Sequence, residues 1–123
     1  MSGGAEARLL GRWGERLVSE YLRMQGWSIR ETNYRCRLGE LDIIAENKCY
    51  IAFVEVKLRK TNGYGLPREA VTREKQRKLR ATAELYLQDH LTSLQPRFDV
   101  AEVYAPQGLH TAAPEIIYSD NAC

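Results

Sequence analysis

Cysteine and histidine are scarce in this 123-residue sequence. The three cysteines, Cys36, Cys49 and Cys123, are odd in number and form no CxxC pair, and neither His90 nor His110 lies close to one of them in sequence. This spacing argues against a disulfide framework and against a zinc site. With so few histidines, a hydrolase built on a Ser–His or Cys–His pair is also a poor candidate. We therefore expect a protein of the reducing cytoplasm.

Long apolar runs are missing as well. No stretch approaches the roughly 20 apolar residues that a membrane-spanning helix needs. The first twelve residues lack the apolar segment of a signal peptide and include Glu6. No membrane association is expected, and no linker rich in proline and glycine divides the chain. We predict one domain over residues 1–123, with residues 1–8 as a flexible N-terminus.

The positive charge is unevenly distributed along the chain. The formal net charge is only +2, but residues 55–80 contain nine Lys or Arg residues and three acidic ones. The rest of the chain therefore holds nine basic and thirteen acidic residues. A concentrated basic segment is typical of proteins that bind polyanions such as nucleic acids. A solvated basic helix face would produce the same pattern.

The hydrophobic periodicity predicts two helices and five strands. We expect a helix over residues 6–25, strands over 27–33, 41–46 and 50–58, a helix from an N-cap at Thr72 to about His90, and strands over 97–104 and 115–118. The second and third strands should form an antiparallel hairpin. Gly14 inside the first helix costs roughly 1 kcal/mol relative to alanine, which close packing against a neighbour would explain. The predicted fold class is α/β, with a mixed central sheet flanked by helices.

Three charged residues interrupt the apolar strands of this hairpin. Asp42 lies in Leu-Asp-Ile-Ile, and both Glu55 and Lys57 lie in Phe-Val-Glu-Val-Lys. Strand alternation puts Glu55 and Lys57 on the same face. Charges within a buried strand are costly unless they are paired or bind a cation. Two carboxylates and a lysine on adjacent strands can therefore converge at one point.

This combination of residues suits metal-dependent hydrolysis of a phosphodiester. Carboxylate oxygens bind Mg²⁺, which retains several waters and accepts a phosphate oxygen, and Mn²⁺ is a natural substitute. The metal neutralises developing charge and helps to generate hydroxide, while a lysine stabilises the transition state. A structural Asp–Lys or Glu–Lys pair across the hairpin is the alternative interpretation.

The motifs around these residues resemble a known bacterial family. The pattern of Asp42 followed by Glu55-Val56-Lys57 is similar to the active site of the PD-(D/E)XK nuclease superfamily, which includes Holliday junction resolvases. More closely, the chain resembles the UPF0102 (YraN-like) family over residues 11–122. The residues that carry this resemblance are Gly14-Glu15, Asn33-x-Arg35, Gly39 to Ile44, Phe53 to Lys57, Glu69-Ala70-Val71-x-x-x-Lys75, Tyr86-Leu87 and Arg97 to Val100.

The resemblance implies a restriction-endonuclease-like core of order αβββαβ and assigns roles to individual residues. Asp42 and Glu55 would be catalytic metal ligands, with the carbonyl of Val56 as a further ligand and Lys57 as the catalytic lysine. Glu15 matches the first-helix glutamate that resolvase-like members use near the metal; pairing with Arg12 or Ser19 on the helix surface is the alternative. Leu58 departs from the family pattern, in which a small polar residue follows the lysine.

Basic residues after the catalytic strand are candidates for phosphate contacts. The predicted nucleic-acid-binding residues are Arg59, Lys60, Arg73, Lys75, Arg77 and Lys78. Lys75 lies within the apolar stripe of its helix, so it either extends along the surface to reach solvent or points toward the active site. Tyr64 and Gly65 lie in a loop that either contacts a backbone or base or forms a plain turn.

Together these features predict a magnesium-dependent endodeoxyribonuclease whose partner is DNA, including branched or nicked forms. The alternative is a non-catalytic module that binds nucleic acid or assists assembly and retains the nuclease fold. RNA as the substrate is a third and weaker hypothesis. Because one small chain presents one active site, cleavage of both strands would need a homodimer or two successive encounters.

Overall fold

The sheet runs through the middle of the molecule and its strands follow one another in chain order. The computed structural model describes residues 3–60 and 72–121. Within these ranges the elements are α1 (Gly3–Met24), β1 (Ser28–Cys36), β2 (Gly39–Glu46), β3 (Tyr50–Arg59), α2 (Arg73–Asp89), β4 (Gln95–Tyr104), a 3₁₀ turn (Gly108–His110) and β5 (Glu115–Ser119). The predicted α/β class and order of elements are confirmed, and they are consistent with a restriction-endonuclease-like core.

The sheet is mixed, with the strand order β1-β2-β3-β4-β5. Neighbouring strands are antiparallel except for β3 and β4, which are parallel and are connected by way of α2. The predicted β2–β3 hairpin is confirmed. Its turn is closed by Asn47, whose Oδ1 accepts hydrogen bonds from the backbone N–H groups of Cys49 at 2.9 Å and Tyr50 at 2.7 Å.

The two helices pack on opposite faces of the sheet. On one face, Val18 and Leu22 of α1 join a core with residues of β2, β3 and β4. On the other, Leu79, Ala83 and Tyr86 of α2 form a second core with residues that include Phe53 and Val100. Strand β3 is covered on both faces, which explains why Ile51 to Val54 form a continuous apolar run.

Gly14 marks the closest approach of α1 to the sheet. A Cβ atom at this position would lie 3.0 Å from Cδ2 of Leu58 on β3. The prediction of close packing at Gly14 is therefore confirmed. Leu58, which departs from the family pattern, occupies the space that this glycine leaves.

Several boundaries differ from the prediction. Helix α1 begins at Gly3 rather than at residue 6, in keeping with the helix-forming residues Ala5 to Arg8. The three-and-four spacing of Leu17, Tyr21 and Met24 predicts that Met24 shares the buried face of α1, but Met24 is 84% exposed. Pro96 predicts a break before the fourth strand, yet it lies within β4. It is tolerated there because the pairing of β4 with β5 begins only at Val100, so no ladder partner for its nitrogen is lost.

Some sequence predictions fall on residues 61–71, outside the described ranges. These predictions concern the loop that contains Tyr64 and Gly65 and the motif residues Glu69-Ala70-Val71 that precede Lys75. Within residues 3–60 and 72–121, no helix combines the length and apolar character required to cross a membrane.

Candidate active site

The β1–β2 pairing skips one position beside Asp42. The pairs Thr32–Ile43 and Tyr34–Leu41 flank the position of Asn33 and Asp42. Asn33 has a φ of 55°, a left-handed conformation that asparagine tolerates better than most residues. Leu41 packs in the core on the α2 side, as Ile44 does, although strict alternation would direct it to the opposite face. The side chains of β2 therefore change their alternation at Asp42.

Asp42 bridges the hairpin at the point where the β2–β3 pairing ends. The last pair of that ladder is Ile43–Val54. Beyond it, Oδ2 of Asp42 accepts a hydrogen bond of 2.9 Å from the backbone N–H of Val56. Glu55, whose exposure is only 6%, lies between these two β3 residues. The predicted convergence of Asp42 and Glu55 is thus present at the end of the hairpin ladder.

Burial and negative charge act together on Asp42. Burial is the larger cause, the nearby Glu55 carboxylate is the next, and together they raise the pKa of Asp42 to about 7. The hydrogen bond from Val56 opposes this increase, and the charges of Glu15 and Glu40 add to it. Two carboxylates that repel each other in a partly buried position favour the binding of a cation.

Two lysines reach the Glu55 carboxylate. Lys75 Nζ lies 2.6 Å from Oε2 of Glu55, and Lys57 Nζ lies 3.8 Å from the same oxygen. Lys75 comes from the first turn of α2, where its backbone N–H donates to the N-cap hydroxyl of Thr72 at 3.2 Å. Of the two alternatives for Lys75, the structure supports the inward orientation toward Asp42 and Glu55.

The two lysines differ in how tightly they hold a proton. Burial, followed by the charge of Lys75, lowers the pKa of Lys57. Burial also acts to lower the pKa of Lys75, but the hydrogen bond and charge of Glu55 outweigh it, so the pKa of Lys75 is raised. Lys57 is therefore the lysine better suited to proton exchange, and Lys75 is the better permanent cation.

A cavity of about 430 Å³ opens beside these residues, between the start of β2 and the start of α2. It is lined by Gly39, Glu40, Asp42, Glu55, Thr72, Glu74, Lys75, Lys78 and Leu79. Both predicted metal-binding carboxylates therefore face one open space. Gly39 and Thr72, which the sequence analysis did not assign to the site, contribute to its walls.

Glu15 approaches the same region from α1. Its Oε1 accepts a hydrogen bond of 2.8 Å from Nδ2 of Asn33, rather than from Ser19. Burial is the largest of several causes that raise the pKa of Glu15. Its charge contributes to the raised pKa of Asp42, but Glu15 does not line the 430 Å³ cavity. It lies near the paired carboxylates without joining them.

The donor set fits a metal that needs few protein ligands. Within the described ranges, no group of three His, Cys, Asp or Glu side chains surrounds a common point. Asp42 and Glu55 would supply two carboxylates, and the Val56 carbonyl and water would complete the coordination. Mg²⁺ is commonly bound in this way, through one or two carboxylates and several retained waters. A bound metal would compete with Lys75 for the Glu55 carboxylate.

The predicted phosphate-binding residues are not all near this cavity. Arg73 and Arg77 are exposed on α2, and Lys78 lines the cavity, with its Nζ 3.9 Å from Glu74. Lys60 instead lines a separate cavity beside the 3₁₀ turn. Arg59 donates from Nε to Oε2 of the buried Glu102 at 3.0 Å, so much of its charge is balanced inside the protein.

One group of residues that the sequence analysis left without a role is a buried ion-pair cluster around Asp99. This side chain is fully buried, and the guanidinium of Arg97 donates to both of its oxygens at 3.1 and 3.3 Å. The Tyr118 hydroxyl donates at 2.5 Å and the Asn121 N–H at 2.7 Å. Arg97 and Asp99 lie two residues apart in a strand, a spacing that could have suggested a same-face pair. This part of the family motif supports the fold.

Comparison with known proteins agrees with the resemblance in the motifs. Residues 14–103 match the model of the family described as "Uncharacterised protein family UPF0102". The chain belongs to the UPF0102 family. It is 48% identical over 98 residues to a UPF0102 protein of Alkaliphilus metalliredigens, covering 79% of this chain and 86% of that protein. It is 50% identical over 95 residues to a UPF0102 protein of Syntrophotalea carbinolica, covering 76% and 77%.

Proposed function

We propose that this UPF0102 protein is a metal-dependent endonuclease that hydrolyses phosphodiester bonds in DNA. The observation that carries the proposal is the placement of Asp42 and Glu55 against one cavity, with two lysines on the second carboxylate. Burying two adjacent carboxylates is unfavourable for the fold alone, whereas metal-dependent phosphodiester hydrolysis uses such a group.

Each residue of this group has a role in the proposed reaction. Asp42, Glu55 and the carbonyl of Val56 would hold Mg²⁺, which lowers the pKa of water and neutralises charge on the phosphate. The Val56 N–H orients the Asp42 carboxylate through its 2.9 Å hydrogen bond. Strand β3 thus fixes two of the proposed ligands and the orientation of the third.

Lys57 and Lys75 would act on the attacking water and on the developing negative charge. Lys57 has a lowered pKa and lies beside Glu55, so its ammonium gives up a proton more readily than that of an ordinary lysine. Lys75 keeps its charge and would stabilise negative charge on the phosphate. Arg73, Arg77 and Lys78 would add affinity for the backbone.

One observation favours the non-catalytic alternative. The 2.6 Å ion pair between Lys75 and Glu55 balances the buried carboxylate without a metal. A module that binds nucleic acid through its basic helix would retain this pair as a structural feature. The two hypotheses therefore differ in whether Glu55 exchanges Lys75 for a cation.

Cleavage assays separate these hypotheses. The purified protein is incubated with supercoiled, single-stranded and four-way-junction DNA and with matched RNA, in Mg²⁺, Mn²⁺ or EDTA. We expect metal-dependent cleavage of DNA and a loss of about 100-fold or more in rate for both Asp42→Asn and Lys57→Met. Matched controls are the exposed residues Asp89 and Lys48, as Asp89→Asn and Lys48→Met.

The controls should remain within about twofold of wild-type cleavage, since neither residue lies at the cavity. A wild-type protein that cleaves none of these substrates contradicts the proposal, as do Asp42 and Lys57 variants that cleave as fast as the controls. DNA binding without cleavage, with a salt dependence unchanged in Asp42→Asn, would support the non-catalytic module.

A further inference from the structure

A second basic surface lies on the opposite face of the sheet from α2. Arg12, Arg16 and Arg23 are exposed on α1 and line a cavity of about 300 Å³ between this helix and β1. Strand β1 is at the edge of the sheet, so this cavity opens along the edge. We call this surface the α1–β1 groove. Its three arginines lie outside residues 55–80, the basic segment identified from the sequence.

The arginines of the α1–β1 groove are not balanced by the protein. Among the described residues, none of the three forms an ion pair or a side-chain hydrogen bond. Arg30, Arg59 and Arg97 by contrast each have a carboxylate partner. The one carboxylate of the groove is Glu15, whose Oε1 is hydrogen-bonded to Asn33. Three guanidinium groups against one carboxylate leave the groove positively charged.

An unpartnered buried hydroxyl lies in the wall of the same groove. Ser19 is 5% exposed, and its Oγ has no hydrogen-bond partner within the described part of the chain. It is the one buried side-chain nitrogen or oxygen atom of these residues in that condition. Leaving a buried hydroxyl unpaired is costly, so such a group in a native protein calls for an explanation. Because Ser19 lines the groove, an acceptor oxygen bound there that reached this hydroxyl would supply the missing partner.

Guanidinium groups and hydroxyls together suit one class of ligand. Arginine donates paired hydrogen bonds to phosphate oxygens, and serine, threonine and asparagine side chains commonly donate to the same oxygens. Thr32 and Asn33 are exposed on the β1 side of the groove and complete this set of donors. A row of arginines along a helix matches a repeating polyanion better than a single small anion.

The groove lies near the active-site residues, although the two cavities share no lining residue. Asn33 lines the groove and holds Glu15, and the charge of Glu15 contributes to the raised pKa of Asp42. A nucleic-acid backbone that passes the paired carboxylates therefore has basic side chains available on both faces of the sheet. These are Arg73 and Arg77 of α2 on one face and the three arginines of α1 on the other.

We propose that the α1–β1 groove binds backbone phosphates of the nucleic-acid substrate through Arg12, Arg16 and Arg23, on the face of the sheet opposite α2. The inference rests on the proposed function for the identity of the ligand. It assigns the positioning of the substrate to α1 as well as to α2. Contacts of this kind supply affinity and orientation without selecting a sequence.

The test measures binding without cleavage. Fluorescence anisotropy follows a labelled 20-base-pair DNA duplex in EDTA, over a series of NaCl concentrations, for wild type and the triple variant R12Q/R16Q/R23Q. We expect the triple variant to bind at least about tenfold more weakly and the salt slope of log Kd to fall by about 2 to 3. Glutamine preserves helix propensity, and circular dichroism verifies that the variant is folded.

Two single substitutions provide the matched comparison. Arg16→Gln and Lys48→Gln each remove one exposed positive charge. Arg16→Gln should lower the salt slope by about 1, whereas Lys48→Gln should leave it unchanged. Ser19→Ala should raise Kd by about threefold while leaving thermal stability equal to or above that of wild type, because an unpaired buried hydroxyl has been removed.

Equal salt slopes for the triple variant and wild type would overturn the inference, as would equal effects of Arg16→Gln and Lys48→Gln. A wild type that binds no duplex in this assay would also overturn it. Because the assay contains no divalent metal, its result is separate from that of the cleavage assay. A chain that cleaves nothing but still shows the arginine effect would contradict the proposed nuclease activity and support the groove.

Discussion

Two of the buried carboxylate clusters in the described part of the sheet, around Asp99 and around Asp42 with Glu55, differ in their electrostatics. Around Asp99 the negative charge is fully balanced, since Arg97, Tyr118 and Asn121 all donate to it. Around Asp42 and Glu55 two carboxylates lie together, and Asp42 receives a hydrogen bond only from Val56 among its described neighbours. The first arrangement is what a protein interior requires. The second is what a binding site for a cation requires.

This difference separates two residues that look alike in sequence. Asp42 and Asp99 each interrupt an apolar strand, and both belong to motifs that the family resemblance includes. Partners supplied by the fold make Asp99 a structural residue. The shortage of such partners at Asp42, together with its open cavity, makes it the candidate for chemistry. The comparison predicts that substitutions at the two sites change stability in opposite directions.

The largest expected effect is at Asp99. Asp99→Asn keeps the size of the side chain but removes the charge that balances Arg97, whose side chain is only 16% exposed. Breaking a buried ion pair on one side typically costs about 3–5 kcal/mol, so we expect a loss of that order in the free energy of unfolding. Urea denaturation at pH 7 measures it, with the exposed Asp89→Asn as the control. A loss below about 1 kcal/mol would mean that the two clusters are not energetically distinct.

The second effect is a pH dependence that comes from Asp42. Its pKa is about 7 in the folded chain, against an ordinary value of 3.8. Between these values the folded state binds more protons than the unfolded state, so the contribution of Asp42 to stability is fully present below pH 3.8, decreases as the pH rises toward about 7, and levels off above that. The whole difference between the two pKa values is equivalent to roughly 4 kcal/mol, which is the most that Asp42 can change the free energy of unfolding.

Asp42→Asn removes this titration while keeping an acceptor for the Val56 N–H. We expect the variant to be more stable than wild type by a few kcal/mol at pH 8, by a smaller amount at pH 5, and nearly equal to it at about pH 3.5, below the ordinary pKa of the carboxyl. Urea denaturation in EDTA at about pH 3.5, 5, 6, 7 and 8 gives the difference between the two curves. If the difference in the free energy of unfolding between the two proteins does not change with pH, the carboxylate pair is not a site of unfavourable charge.

The contrast between the clusters also shows what could be predicted from the sequence. The elements, the hairpin and the convergence of Asp42 with Glu55 follow from hydrophobic periodicity and from charges placed in apolar strands. The place of Lys75 in an apolar helix face leaves two alternatives open, and the structure supports the inward one. These are local patterns, and each needs only its own segment to be recognised.

Other features depend on contacts that no local pattern contains. Asp99 accepts hydrogen bonds from Tyr118 and Asn121, which lie about twenty positions away in the sequence. Arg59 pairs with Glu102 of the neighbouring parallel strand. The reversal of alternation beside Asn33 depends on a left-handed residue that ordinary strand patterns do not anticipate. No local pattern indicates the α1–β1 groove, because its arginines are dispersed among acidic residues of α1.

The smallest expected effect concerns the lysine that balances Glu55. Lys75→Met removes the cation 2.6 Å from Glu55 and leaves Lys57 at 3.8 Å. Because both lysines are partly exposed, we expect a loss of only about 1–2 kcal/mol in the metal-free protein. If Mg²⁺ binds where Lys75 now pairs, its binding no longer has to displace an ammonium group. The increase in Tm on adding Mg²⁺ should therefore be larger for Lys75→Met than for wild type.

Thermal melts with and without Mg²⁺ test this, with Lys78→Met as the matched control on the same helix. Lys78 lines the cavity but lies 3.9 Å from Glu74 and does not contact Glu55, so its loss should leave the Mg²⁺-induced increase in Tm close to that of wild type. An equal increase in Lys75→Met and wild type would mean that the metal and Lys75 do not share the Glu55 carboxylate. Glu55 would then belong with Asp99, as a carboxylate balanced by the protein alone.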